Sequence, residues 1–490
     1  MATNDIDASR ADDGRPRGPL DRLLNIFTDV RGGEGLTAFY LFLNVFLLLS
    51  SYYLLKTIRE PLVLAAEGGG AEIKSYASAA IAVLLLALVP IYGAIATRVS
   101  RVKLINGVTL FFVACLVGFF LWARAVGVPG MPPPDGAEAA AAAPAAGQLA
   151  LGVAFFIWVG IFNLMIIAQF WAFANDVYTV EQGKRLFALV ALGASLGAIA
   201  GSFAAKKLIE AFGLYPLMGL AAGMLVVCMV LTNLAHARER AHGARRPEPD
   251  QKTEPKADAD APITGKSGFA LVFADKYLLL IAFMMLLLNL VNSTGEYILG
   301  ETLTNIAKDR VAHGQLQEAD IGKWIGSFYG GYFTWVNTVS ALLQAFVVSR
   351  VIKKLGVAGS LLVMPFVSLG AYATLAFLPV LAIIRTAKIA ENSLDYSLNN
   401  TARQALFLPT SREAKYKAKQ AVDTFFVRFG DVASAGLVFA GTTWLAFSPQ
   451  NFAMANAAFV LVWIAIAFAL GRSFKARAGE AEPELVRKAS

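Results

Sequence analysis

Long apolar blocks alternate with short polar ones along nearly the whole chain. The blocks cover 36–58, 75–96, 104–124, 150–172, 186–209, 214–235, 276–298, 325–348, 357–377, 379–400, 420–445 and 451–471. A helix of about 20 residues crosses a hydrocarbon core of ~30 Å, so each block predicts a membrane-spanning helix. The pattern predicts an all-α polytopic membrane protein with about twelve spans. Polar stretches divide it into a tail (1–35), a six-helix bundle (36–235), a linker (236–268), a second six-helix bundle (269–471) and a C-terminal tail (472–490). The linker, with ARERAHGARRPEPDQKTEPKADADAP, is charged and proline-bearing and reads as a disordered spacer. The low-complexity stretch VPGMPPPDGAEAAAAAPAAG has no periodic apolar face and is expected not to pack. The polar first 35 residues hold no cleavable signal-peptide pattern.

Composition agrees with the pattern. The chain is 57% hydrophobic and 16% charged, whereas soluble domains run nearer half apolar and a quarter charged. Of its 43 Lys and Arg, 31 lie in the two tails and the even-numbered loops, nine in or beside the odd-numbered loops, and three within spans. Positive charge gathers on the cytoplasmic side of membrane proteins, so both termini are expected there. The net charge of +8 thus reports orientation and predicts no nucleic-acid partner. Cys115 and Cys228 lie inside apolar blocks and read as small buried hydrophobes. Gly193, Gly197 and Gly201 form a GxxxGxxxG row, which reads as close helix packing. TGKS (264–267) has the tail of a phosphate-binding loop, but the ADADAPI before it lacks the required Gly. With no ATPase motif, transport would run on gradients, and no enzyme activity, cofactor or metal is expected.

The halves echo each other. GAIATRVSRVKL follows the second block and AFVVSRVIKKLG the eighth; VYTVEQGKRLFALVALG and FLPTSREAKYKAKQAVDTFF follow the fourth and tenth. Two parallel six-helix repeats are the plan of the major facilitator architecture. The first turn also resembles that architecture's signature, with Thr97 where an acid is usual.

Charges inside the blocks carry the chemistry. The first reads SSYYLLKTIREPLVL, with Tyr52, Lys56 and Arg59 on one stripe and Glu60 four residues after Lys56. Three unpaired charges there would cost roughly 8–10 kcal/mol on insertion scales. They must therefore snorkel, pair, or face a wet cavity, and the i,i+4 spacing allows a Lys56–Glu60 pair. The tenth block, IIRTAKIAENSLDYSLNN, places Arg385, Lys388, Asn392, Asp395 and Asn399 on a second stripe. The seventh adds Asn289, Asn292 and Glu296; the eleventh adds Lys419, Asp423, Arg428 and Asp431. Four such helices predict a common central cavity, although the same charges also fit structural ion pairs without a ligand. Arg grips phosphate or carboxylate oxygens bidentately and Lys acts as a point charge, so a cation-rich cavity suits an anion.

These residues resemble the nucleotide translocases that exchange ATP for ADP in plastids and obligate intracellular bacteria. LLKTIREPLVL is similar to that family's first-helix signature, with Lys56, Arg59 and Glu60 at its Arg, Lys and Asp. QFWAFANDVYTVEQGKRLFALVALGA resembles its Phe-Trp-Gly-Phe-Ala-Asn segment and the turn after it. LVNSTGE places Glu296 at its helix-seven acid. DYSLNNTARQALFLPTSREAKYKAKQAVD resembles its tyrosine–serine stretch and lysine triplet, with Lys415, Lys417, Lys419, Asp423 and then Arg428 on the pattern and Asp395 where the family has Lys. The resemblance implies a facilitator-like secondary transporter working by alternating access. Its substrate-binding set would be Tyr52, Lys56, Arg59, Glu296, Arg385, Lys388, Asn392, Lys419, Asp423 and Arg428. The implied partners are an anionic small molecule, a nucleotide on this resemblance, and the lipid bilayer of a bacterial inner membrane; a monomer is compatible. Two other readings stay open: a proton-coupled facilitator using Glu296, Asp395 or Asp423, and a scaffold or sensor with structural pairs only.

Overall fold

A computed structural model describes residues 18–26, 28–96, 98–128, 145–243, 267–411 and 413–489. Thr97, most of the 128–147 stretch and most of the 236–268 linker, including TGK of TGKS, lie outside these residues. Among the described residues there is no strand. The first half consists of α1 (Gly35–Leu64), α2 (Ala71–Ala96), α3 (Arg101–Ala125), α4 (Ala145–Val177), α5 (Val180–Phe212) and α6 (Pro216–Gly243). In the second half a short helix, Gly268–Ala274, leads into α7 (Lys276–Ala312). A continuous helix then enters at Ile321 and runs to Phe377 until Gly356, at φ 68°, breaks it into α8 (321–355) and α9 (357–377). Only glycine adopts that backbone without strain, which is why the AFVVSRVIKKLG turn ends on it. Next come α10 (381–405), α11 (414–443) and α12 (Pro449–Ala489).

Ten of the described helices are each long and apolar enough to cross a membrane. The other two are α8 and α10; α10 is less apolar because it carries Arg385, Lys388, Glu391 and Asp395. Twelve crossings bring both ends of the chain to one face, here the terminal face; the opposite face is distal. The first helix outlasts its predicted block by six residues, ending at Leu64 rather than 58. Lys56 and Arg59 therefore lie within the span and not beside a loop, and Lys56 is only 9% exposed. The snorkelling alternative is thereby excluded.

Each half packs around a central helix. In the first, α1 lies against α4, α5 and α6; in the second, α7 lies against α11 and α12. The GxxxG row explains the closest of these contacts. A Cβ on Gly193, Gly197 or Gly201 would stand 2.7, 2.3 or 2.5 Å from the carbonyl oxygens of Phe42, Phe46 and Ser50 in α1. We expect Gly197→Ala to lower the unfolding midpoint in detergent, at an overpacking cost of roughly 1–3 kcal/mol. Gly223→Ala in α6, where a Cβ meets nothing within 4 Å, is the control and should not lower it.

The halves touch through α5–α8, α2–α11, α1–α8 and α2–α7. Contacts near the distal ends join them directly. Ser327 Oγ of α8 donates to Glu210 Oε1 of α5 at 2.7 Å, and the Tyr76 and Phe439 rings of α2 and α11 lie 6.5 Å apart. The distal side of the seam is thus closed. On the terminal face, Asp275 caps α7 through the Tyr277 N–H and takes two hydrogen bonds from Arg477 of α12, at 3.0 and 2.6 Å.

Candidate functional site

Between the halves lies a cavity of about 270 Å³, lined by α1, α2, α4, α7, α8, α10 and α11. Its walls carry Tyr52, Lys56, Arg59, Glu60, Lys74, Asn163, Asn289, Asn292, Glu296, Phe333, Asn392, Tyr396, Arg428 and Asp431. The stripes from the first and seventh blocks converge here as the spacing predicts.

The pairing inside the cavity differs from the spacing. Glu60 does not pair with Lys56. Its Oε1 receives Arg59 Nε at 3.1 Å and its Oε2 lies 2.6 Å from Lys74 Nζ. Lys74 comes from the first turn of α2 and also reaches Tyr329 Oη of α8, at 3.3 Å. Its ammonium stands 3.7 Å from Glu296 Oε2, which links α2 of one half to α7 of the other. Glu296 Oε1 lies 3.8 Å from Lys388 Nζ and accepts from Asn392 Nδ2 and Tyr332 Oη at 3.0 and 3.1 Å. Lys388 in turn donates to Glu391 Oε2 at 2.8 Å and to Asn292 Oδ1 at 2.7 Å. Glu391 also accepts from Ser368 and Tyr372 of α9, at 2.7 and 3.0 Å.

The result is a row of alternating charge running from one half to the other: Arg59, Glu60, Lys74, Glu296, Lys388, Glu391. Removing one partner of such a buried pair strands a charge, at a cost of ~3–5 kcal/mol. Lys56 stands beside the row but outside it. Among the described residues it has no carboxylate within ion-pair distance. Its ammonium rests on aromatic faces instead, 4.3 Å from the Phe333 centroid and 5.3 Å from that of Tyr53. Arg428 faces the cavity with Asp431 at 3.4 Å.

Four expected members, Lys419, Asp423, Arg385 and Lys388, do not line this cavity. Lys419 and Asp423 line a separate cavity of about 220 Å³ between α7, α10 and α11, with Arg403 and Gln404. Lys419 Nζ donates to Gln404 Oε1 at 2.5 Å. Lys419 precedes Arg428 by nine residues, ~13 Å along the helix axis, and the π-helical segment Val422–Phe426 between them shifts the register that continues to Arg428. Arg385 does not line the main cavity; its guanidinium packs on Phe328 of α8, 5.4 Å from the centroid. The tenth-block stripe therefore splits. Only Asn392 of the named residues meets the cavity, Lys388 is buried behind it, and Asp395 turns to Asn399 and Arg403.

Lys74, Glu391, Tyr329, Tyr332 and Tyr396 were not anticipated. Lys74 sits at the edge of an apolar block, where a loop lysine has the same appearance. Glu391 did carry a signal, since a lone Glu deep in an apolar helix needs a partner and Lys388 stands three residues before it.

A polytopic helical bundle with a charged cavity between two six-helix halves defines a secondary transporter of facilitator fold. Solved structures agree on the fold. The nucleoside transporter NupG superposes with a TM-score of 0.58 at 12% identity, over 90% of this chain and 99% of that one. A POT family transporter in complex with 5-aminolevulinic acid gives 0.57 at 12% identity, over 89% and 96%. The chain belongs to the TLC ATP/ADP transporter family, whose pattern matches residues 153–474. Among its relatives, ADP,ATP carrier protein 1 of Chlamydia pneumoniae is 23% identical over 96% of this chain and 98% of its own. ADP,ATP carrier protein 1 of Chlamydia muridarum is 24% identical over 95% and 94%.

Proposed function

We propose that this protein exchanges ATP for ADP, or a closely related phosphorylated anion, across a bacterial inner membrane, with both termini in the cytoplasm. The observation that carries this reading is the cross-half row of charges with Lys56 beside it. In the row every cation already has an acid, so the charges of the cavity wall nearly cancel apart from Lys56. An incoming polyphosphate meets Lys56 first and then competes with Glu60 and Glu296 for Arg59, Lys74 and Lys388. Arg428, Asn292 and Asn392 complete the polar lining, and Tyr52, Tyr396 and Phe156 offer flat faces to a base.

Competition for Lys74 has a mechanical consequence. The Lys74–Glu296 pair joins the halves near their closed distal ends. Phosphate on Lys74 loosens that link and lets the distal ends part. An empty carrier has nothing to replace Glu296 and keeps the link closed. Coupling of this kind produces exchange rather than one-way flow, with the halves rocking about the site. Swapping a nucleotide of charge −4 for one of −3 moves one charge, worth ~2.3 kcal/mol per 100 mV, so direction follows the membrane potential as well as concentration.

The test is uptake of labelled ATP by liposomes containing the purified protein, with and without ADP inside. Uptake should require internal ADP, and unlabelled ADP and ATP should compete while sugars and organic acids do not. Uptake that ignored internal nucleotide and followed an imposed pH gradient would instead make the protein a proton-coupled facilitator.

A further inference from the structure

Arg385 lies outside the main cavity, and its surroundings give it a different partner. The point that a Cβ on Gly331 of α8 would occupy is 3.5 Å from Arg385 Nη2 and 3.9 Å from Lys206 Nζ. Lys206 comes from α5 and Arg385 from α10, so one cation from each half converges over the same turn of α8. Among the described residues neither cation has an acid within ion-pair distance. Glu210, one turn along α5, is engaged by Ser327 at 2.7 Å and Lys207 at 3.7 Å. Arg385 Nε is buried and has no acceptor. Two cations without acids, converging inside a membrane protein and one of them with an unanswered donor, form a site suited to an anion.

The setting identifies the kind of anion. Phe203 of α5 and Trp335 of α8, each about a turn from the pair, are 53% and 56% exposed, so this side of the seam faces lipid. The exposed Phe212 at the end of α5 and Phe377 before α10 mark the distal edge of the apolar surface, at 66% and 84%. Arg385 stands about one turn in from the start of α10 at Leu381, ~6 Å along the helix axis, and Lys206 ~9 Å in from Phe212 on α5, depths from which long basic side chains snorkel to a headgroup phosphate. We infer that Lys206 and Arg385 bind the phosphate of an anionic phospholipid in the distal leaflet. Arg385 supplies the planar fork and Lys206 a point charge, while Phe328 backs the guanidinium. Basic pockets between membrane helices are suited to such headgroups. Because the two cations belong to different halves, the site is complete only while α5 and α8 stay together.

Native mass spectrometry on carrier released from vesicles of mixed phosphatidylglycerol and phosphatidylcholine tests this. Wild type should retain phosphatidylglycerol preferentially. Lys206→Gln and Arg385→Gln should each reduce that retention roughly fivefold, the contribution of one cation beside an anionic lipid. Arg385→Lys should retain an intermediate amount, and it keeps the test valid if Arg385→Gln does not elute as a folded protein. Excess inorganic phosphate or ATP should not displace the lipid. Unchanged retention in both Gln variants overturns the proposal. Displacement by inorganic phosphate or ATP also overturns it, in favour of a soluble-anion site.

Discussion

Replacing Glu296 with Gln is expected to tighten nucleotide binding about tenfold, near 1.4 kcal/mol, while slowing exchange by a comparable factor. Glutamine keeps the shape and an oxygen to accept from Asn392 and Tyr332, which bond Glu296 Oε1 at 3.0 and 3.1 Å. What disappears is the negative charge standing 3.7 Å from Lys74 and 3.8 Å from Lys388. Phosphate oxygens then meet both ammonium groups without a competitor. Close charge pairs at desolvated surfaces couple by ~1.5–7 kcal/mol, so a tenfold gain is a modest share of what is released. The same change impairs turnover. Release requires Glu296 to reclaim its lysines, and a neutral amide does so poorly. Calorimetric binding and liposome exchange, measured on one preparation, give the two numbers. Weaker binding with unchanged turnover would mean that Glu296 touches the nucleotide directly as an acceptor and does not compete for its cations.

The architecture was legible because insertion into lipid leaves a coarse signature: only long apolar runs are affordable, and the charges that interrupt them must meet one another. That logic brought Lys56, Arg59, Glu60, Asn289, Asn292, Glu296, Arg428 and Asp431 to one cavity. It failed where helical register or direction was at issue. Three residues advance a helix by about 300°, so Arg385 stands roughly 60° around from Lys388. That offset suffices to turn one toward α8 and the other toward α7. Beyond Leu394 the π-helical Asp395–Asn399 ends the regular spacing altogether, and another such segment, Val422–Phe426, shifts the register between Lys419 and Arg428. Lys74 was hidden for another reason. A lysine in the first turn of a span faces inward or outward according to how α2 leans on α7 and α8, which no local pattern records. Tyrosines 329, 332 and 372 were counted as apolar bulk, yet each places its hydroxyl on a charged member of the row.

Lys74→Gln should abolish exchange and also weaken the fold, and a second substitution should separate the two effects. Lys74 is 6% exposed and Glu60 1%, with 2.6 Å between their charges. Losing the lysine leaves Glu60 buried with Arg59 alone, and breaking a buried pair this way costs ~3–5 kcal/mol. The unfolding midpoint of the single variant should therefore fall clearly. Adding Glu60→Gln restores the neutrality of the row but leaves Arg59 without its acid, so the double variant should recover only part of that loss, and the cycle of single and double variants measures the coupling. Exchange should not recover with it. The double variant still lacks the cation that Glu296 and phosphate contend for across the seam, so its rate should stay down by roughly a hundredfold or more, about 2.7 kcal/mol of barrier. A double variant that regained wild-type exchange along with its stability would reduce Lys74 to a structural counter-ion for Glu60. The link between the halves would then have to be sought in the Ser327–Glu210 hydrogen bond, which joins α8 to α5 across the seam.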